Sequence, residues 1–332
     1  MNKKQRIKWI DLSKAICIYC VVLGHALTYN EDNECIFRNF IYIFHMPVFF
    51  FISGYLFRIK ENENSFISFS LSNIKSLVVP YIFLNILAIF LYSPIYLHQN
   101  IKQTLYYILI GHGHAPAGPA WFLLCLFWIK LQMFFVLKLS DRTQVLVALL
   151  YGILAYYFPW HLYWRFDVSF MAMPIFIIGT LVKKHLTSLP NKHYPLLLPS
   201  LVFIISFLAT FGISLIQQKV AMYSRIFGTS GILFYIGAMI GILMIISLCE
   251  LLNGFSNKVI SVISSGSIII MGLHGIFYQY TLYLLQRLSI LPHYVLNIPT
   301  KIIICFIVIA EMYIPILLLQ KYCSQFLGGR KY

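Results

Sequence analysis

His25 and His45 are the side chains in this 332-residue sequence best suited to moving a proton at neutral pH. An unperturbed imidazole titrates near pH 6.5, so it both accepts and returns a proton under physiological conditions. His25 closes an apolar run that carries Asp11 and Lys14 near its start. His45 stands in Phe44-His45-Met46-Pro47, ahead of Phe49-Phe50-Phe51-Ile52-Ser53-Gly54-Tyr55. An alcohol attacking a carbonyl needs a base within hydrogen-bond reach, and a neutral imidazole supplies one. His25 is the candidate base, with His45 or the Ser53 hydroxyl orienting it or stabilising an oxyanion. The plainer alternative is that each histidine makes an interhelical hydrogen bond.

Helical geometry decides whether these groups can meet. Fourteen residues separate Asp11 from His25, about 21 Å at 1.5 Å per residue, and fourteen steps return close to the same face. Asp11, Lys14 and His25 therefore fall along one stripe. Asp11 and Lys14, three apart, are spaced either to pair with each other or to bind a substrate. The second run returns in the opposite direction, which places His45 at a depth similar to that of His25. Pro47 withdraws a backbone hydrogen bond and leaves a carbonyl one turn earlier without its donor, which a bilayer tolerates only beside protein or a wet cavity.

The elements that must position these residues are membrane helices. Hydrophobic residues make up 60% of the chain and charged ones only 11%, less than half of what a soluble surface carries. Intrinsic disorder and a disulfide-built secreted domain are excluded by the same composition. Apolar runs of spanning length occur at about residues 9–29, 37–57, 76–97, 119–138, 144–160, 167–182, 195–215, 230–252, 261–285 and 301–320. The expected fold is all-α, a polytopic bundle of about ten spans forming a single domain over 1–332. An ionisable group inside a span costs ~2.5–3.5 kcal/mol, so a bundle that keeps several holds a site as well as an anchor.

The net charge of +15 reads as membrane sidedness and not as nucleic-acid binding. With the N-terminus cytoplasmic, Lys3, Lys4, Arg6, Lys8, Arg58, Lys60, Lys75, Lys138, Arg142, Lys183, Lys184, Lys192, Lys258, Lys321, Arg330 and Lys331 fall inside. Only Arg38, Lys102, Arg165, Lys219, Arg225, Arg287 and Lys301 fall outside, which favours both termini in the cytoplasm. The seven cysteines, including Cys17-x-x-Cys20, read as packing residues. His112-x-His114 lies among Gly111, Gly113, Gly118, Pro116 and Pro119, which favours an irregular loop over a metal site; no metal is expected. Arg165 and Asp167 either contact a substrate or form an exposed ion pair. No phosphate-binding loop or dinucleotide fingerprint is present, which argues against ATP and NAD chemistry.

The run Arg6-x-x-x-Ile10-Asp11-Leu12-x-Lys14-Ala15-Ile16 with Val21-Val22-Leu23-Gly24-His25 resembles the opening helix of the acyltransferase 3 family. The likeness continues through Phe44 to Tyr55, Lys75-x-x-x-x-Pro80-Tyr81, Pro119-Ala120-Trp121-Phe122-Leu123, Ala172-x-Pro174-Ile175-Phe176-x-x-Gly179, and Ser267 to His274. The sequence departs from the family where Lys14-Ala15 replaces Arg-Gly and where a single Lys75 replaces an Arg-rich stretch. The resemblance implies a bacterial inner-membrane acyltransferase, with acetyl-CoA as donor and a hydroxyl of a glycan or lipid-linked sugar as acceptor. It also implies that His25 is catalytic with His45, and it adds Trp121 and His274 as substrate contacts beside Asp11, Ser53 and Arg165. Arg6, Lys14, Arg58 and Lys75, at the inner ends of the first three helices, are the expected contacts for the phosphates of CoA. An acyl-histidine relay through His25 is the mechanistic rival. A transporter or flippase is the rival function, although no repeat of the first two blocks occurs after residue 167.

Overall fold

A computed structural model describes residues 7–28, 32–60, 63, 65–92, 100–186, 196–255, 257–291 and 296–329. Fourteen α-helical segments follow in order: α1 Lys8–Ala26, α2 Asp32–Tyr55, α3 Phe66–Asn73, α4 Val79–Tyr92, α5 Ile101–Ile110, α6 Trp121–Val136 and α7 Asp141–Tyr157. Then come α8 Phe166–Leu186, α9 Leu197–Ile216, α10 Gly231–Leu251, α11 Lys258–Ser265, α12 Ser267–Arg287, α13 Ile298–Glu311 and α14 Tyr313–Tyr322. Among the described residues there is no β-strand, and nine helices are long and apolar enough to cross a membrane.

The expected tenth span, 144–160, is α7. Its seventeen residues rise about 26 Å, just short of the ~30 Å hydrocarbon core. Phe158-Pro159-Trp160 ends the helix, because Pro159 disfavours α conformation at the residue before it. The third span begins earlier than its hydropathy foretold. Ser65 caps α3 in a reciprocal capping box with Ser68, and a π-helical turn, Ile74–Val78, carries α3 into α4 without a break. Lys75 sits in that turn.

The second helix is the central post, packed against α1, α8, α9 and α10. Glycines let the backbones close on it. A Cβ built on Gly54 would lie 2.1 Å from the Phe176 carbonyl oxygen, and one on Gly179 of α8 would lie 2.3 Å from the Phe51 oxygen. Gly241 of α10 approaches Phe44 in the same way, with 2.4 Å to its Cβ. Small residues serve this purpose in membranes, where dispersion contact replaces the hydrophobic effect as the force between helices.

Leu149, Leu150 and Ile153 of α7 and Ile205 and Leu208 of α9 are exposed and apolar, a surface suited to lipid. Exposed Tyr156, Tyr157, Trp160 and Tyr163 ring the C-terminal end of α7 as membrane-interface aromatics do. At that same end an ion pair crosses from the first turn of α2 to α13. The Lys301 ammonium donates to Glu34, whose other oxygen accepts from the Thr28 amide at 2.8 Å and the Thr28 hydroxyl at 3.0 Å. Both partners are buried.

Candidate active site

The end of α1 and the first half of α2 bring His25 and His45 to the wall of one cavity of about 440 Å³. His25 is exposed to that cavity, while His45 is buried behind it. A second cavity, of about 330 Å³, lies on the other side of His25 and reaches His274. His25, Gly113, Gly118 and Pro119 border both, so the His25 imidazole stands at the partition between two chambers. Among the described residues, nothing hydrogen-bonds its ring. Its nearest aromatic neighbour is His274, with ring centroids 5.1 Å apart.

The other two histidines have fixed tautomers. His45 Nδ1 lies 2.8 Å from the Ile41 carbonyl, and His274 Nδ1 lies 2.9 Å from that of Ile270. A carbonyl only accepts, so each Nδ1 donates and each Nε2 keeps its lone pair. His45 and His274 are thus each held by a carbonyl of their own helix and not by the interhelical hydrogen bond that was the plainer expectation, and among the described residues His25 has neither.

Arg38 supplies the positive charge. Its Nε donates to the Gly24 carbonyl at 3.2 Å, its NH2 nitrogen donates to the Tyr42 hydroxyl at 3.0 Å, and the guanidinium lies 4.4 Å from the Tyr42 ring centroid. Tyr42 in turn meets the His45 ring edge-on at 4.9 Å. Arg38, Tyr42 and His45 stand at i, i+4 and i+7, one face of α2. That stripe was readable in the sequence, where Arg38 counted only as an outer-side charge.

The loop from Gly111 to Pro119 forms the partition and is pinned from three sides. The Asn85 side chain of α4 accepts from the Ala117 amide at 3.1 Å, the Tyr223 hydroxyl accepts from the Gly113 amide, and Arg165 Nε donates to the Gly111 carbonyl at 3.0 Å. Gly113 has no alternative, since a Cβ there would lie 2.1 Å from the Tyr223 hydroxyl. Burial pushes the His112 imidazole below its ordinary pKa, with Arg165 and His114 adding to the effect, so this loop histidine is neutral at pH 7. Among the described residues, no group of three or more His, Cys, Asp and Glu is placed to hold a metal ion.

Of the remaining residues singled out by sequence, Trp121 lines the first cavity and packs edge-on against Tyr223 at 5.8 Å. Arg165 is buried one layer back, stacked 4.0 Å over the Tyr223 ring, where it holds the wall. Asp167 is buried with Arg225 at 2.8 Å, so it forms an interior ion pair and not an exposed one. His274 borders the second cavity. Ser53, eight residues or about 12 Å beyond His45 along α2, lines neither cavity. Asp11 is buried at the far end of α1 and accepts from the Ser264 hydroxyl at 2.6 Å. Lys14 is half-buried on the same helix, away from both chambers.

Of the proposed donor contacts, Lys75 and Arg58 lie at the opposite end of the bundle from His25. Lys75 and Lys60 border a separate pocket of about 340 Å³ together with Gly328 and Gly329. Lys60 is held by Glu63 at 2.8 Å. Burial pushes the Glu63 carboxyl up, but hydrogen bonds from Lys60 and Ser72 outweigh it and keep it below the usual carboxylate range. Among the described residues nothing pairs with Lys75. Arg58 is exposed just past the end of α2, and Arg6 lies outside the described residues. Tyr223 and Lys219, both on the first cavity, were missed by sequence reading because they come from the α9–α10 connection, more than a hundred residues from the loop they face.

Fold and site together define a multi-pass membrane protein with a histidine at the meeting of two chambers. A family model described as an acyltransferase domain matches residues 7–317, nearly the whole chain. The chain belongs to the acyltransferase 3 family and is a membrane acyltransferase. No curated protein matches it, and no solved structure does.

Proposed function

We propose that the protein moves an acetyl group from acetyl-CoA to a hydroxyl of a glycan or lipid-linked sugar, with His25 as the general base. The observation that carries this reading is the placement of His25 between two chambers, which gives donor and acceptor separate approaches to one imidazole. The acceptor occupies the first cavity, against Trp121 and Tyr223. The acetyl thioester reaches the second.

The His25 imidazole takes the proton of the acceptor hydroxyl as its oxygen attacks the thioester carbonyl carbon. Arg38 stabilises the negative charge of the tetrahedral intermediate. The intermediate collapses with loss of the C–S bond, and the imidazolium returns its proton to the CoA sulfur, leaving an ester and free CoA. On the donor side, α4 joins the two ends of the path. Lys75 lies just before it and Tyr92, seventeen residues or about 25 Å further on, lines the second cavity. CoA phosphates held by Lys75 and Arg58, with Arg6 the third expected contact, put the donor on the cytoplasmic side of an inner membrane, and ten crossings, α7 included, put both termini there as well. A periplasm-only reporter joined after Tyr332 should then stay inactive.

The test is purified protein in lipid nanodiscs with labelled acetyl-CoA and an acceptor glycan. His25→Ala should abolish transfer and leave protein level and membrane insertion unchanged, since removing one interhelical side-chain contact costs only ~1 kcal/mol. A folded His25→Ala protein that acetylates at near the wild-type rate would remove His25 as the base. Sugar movement across vesicles without consumption of acetyl-CoA would replace transfer with transport.

A further inference from the structure

A groove of about 680 Å³ lies outside the His25 site, on the flank of the bundle between α7, α8 and α10. Its walls are apolar, among them Leu149 and Ile153 of α7, Leu181 of α8 and Ile232 of α10. Leu149, Ile153 and Ile232 are more than half exposed, so the groove opens sideways onto the surface that faces hydrocarbon. It runs along α7 from Val145 to Tyr157, twelve residues or about 18 Å, which is more than half the depth of the ~30 Å hydrocarbon core. Its upper end meets the collar of exposed aromatics, the same end at which the His25 cavity lies.

One segment separates groove from cavity. Ile226 lines the His25 cavity and the next residue, Phe227, lines the groove. Arg225 locks this wall in a left-handed conformation with φ 52°, its guanidinium donating to Asp167 at 2.8 Å and to the Phe158 and Trp160 carbonyls at 2.6 and 2.8 Å. Lys219, in the same segment, is exposed on the cavity, and among the described residues nothing pairs with its ammonium. A hydrocarbon groove, an unpaired cation and a sugar-sized cavity thus follow one another across a single wall. An ordinary phospholipid would use the first two and leave the cavity empty.

We propose that the groove is the tail site for a lipid-phosphate-linked sugar, whose phosphate is held at Lys219 and whose sugar enters the cavity with its reacting hydroxyl at His25. This rests on the acyl-transfer reading and narrows its acceptor to a lipid-linked one. The test compares one disaccharide in two forms, carried on a prenyl pyrophosphate and as a water-soluble methyl glycoside. Gly152→Phe fills the groove, and its helix accepts a side chain, because a Cβ there lies in ordinary contact, 3.6 Å, with the Tyr235 ring. It should raise KM for the prenyl-linked form by about tenfold or more and leave the methyl glycoside unaffected. Lys219→Gln should raise KM for the prenyl-linked form likewise. Equal effects of Gly152→Phe on both acceptors, or none on either, would overturn the proposal.

A readout independent of catalysis is labelling by a photoreactive prenyl phosphate in phosphatidylglycerol nanodiscs. Crosslinks should map to the facing residues of α7 and α10 and vanish in Gly152→Phe. Labelling spread evenly around the bundle would refute the site. Groove labelling by a wild type that transfers no acetyl to either acceptor would keep the site and discard the acyl-transfer reading instead.

Discussion

Replacing Lys301 by Met should destabilise the protein more than the loss of any surface charge. Glu34 has no exposed side-chain surface and Lys301 only 7%, so water cannot take over from the missing partner. Breaking such a buried pair from one side costs ~3–5 kcal/mol, because the remaining charge is left uncompensated. The Glu34 carboxylate would keep its two hydrogen bonds from Thr28, which places Lys301→Met toward the lower end, about 3 kcal/mol or roughly a hundredfold in the folding equilibrium. Glu34→Gln combined with Lys301→Met leaves no buried charge and should recover most of that loss, since neutral replacements of buried pairs are often tolerated. The assay is reversible unfolding in mixed micelles, run as a double-mutant cycle. A Lys301→Met protein within about 1 kcal/mol of wild type, or a double mutant no better than the single, would refute the account. Thr28 is three residues past His25, so the single mutant should also lose acyl transfer out of proportion to its folded fraction.

The remaining expectations are simpler. Gly54→Ala should lower folded yield in the membrane, because its Cβ would lie 2.1 Å from a backbone oxygen of α8 that cannot rotate away; overpacking costs about 1–3 kcal/mol or more. Normal thermal stability in detergent would contradict that. The hydrogen bond from Lys184 holds the Asp141 carboxyl below its ordinary pKa. The folded-state value lies below the unfolded one, so the stabilisation is complete above about pH 4 and fades as pH falls further. The gap in unfolding midpoint between wild type and Asp141→Asn should therefore close as pH falls below that point. A gap that persists or widens below it would reverse the sign.

The chain's composition and apolar runs were enough to foresee an all-helical membrane bundle, and the depth argument put His25 and His45 together. What escaped had physical causes. Asp11 accepts a hydrogen bond from Ser264, 253 residues away, and no periodicity reports a contact of that range. Hydropathy located the third span but not its start, because the capping box at Ser65 extends the helix through residues too polar to score as membrane. The short α5 and the pinned loop after it depend on Asn85, Arg165 and Tyr223, each from a different helix or connection. Arg38 was within reach of sequence reasoning, since its spacing to Tyr42 and His45 is helical; counting it as a sidedness charge hid its place on the cavity.

The glycine contacts around α2 limit how the molecule can move. Gly54 and Gly179 interlock α2 with α8, and Gly241 brings α10 onto α2 at Phe44. Sliding either neighbour by one residue would replace a hydrogen with a Cβ against a carbonyl or a ring. Because α2 is gripped by helices from the middle and the later part of the chain, no slip plane runs between an early and a late half. Rocking of one half against the other, the usual device for carrying a substrate across a bilayer, would have to break these contacts. The histidines stay where α1 and α2 hold them, and the two chambers open to His25 from opposite sides of a fixed wall.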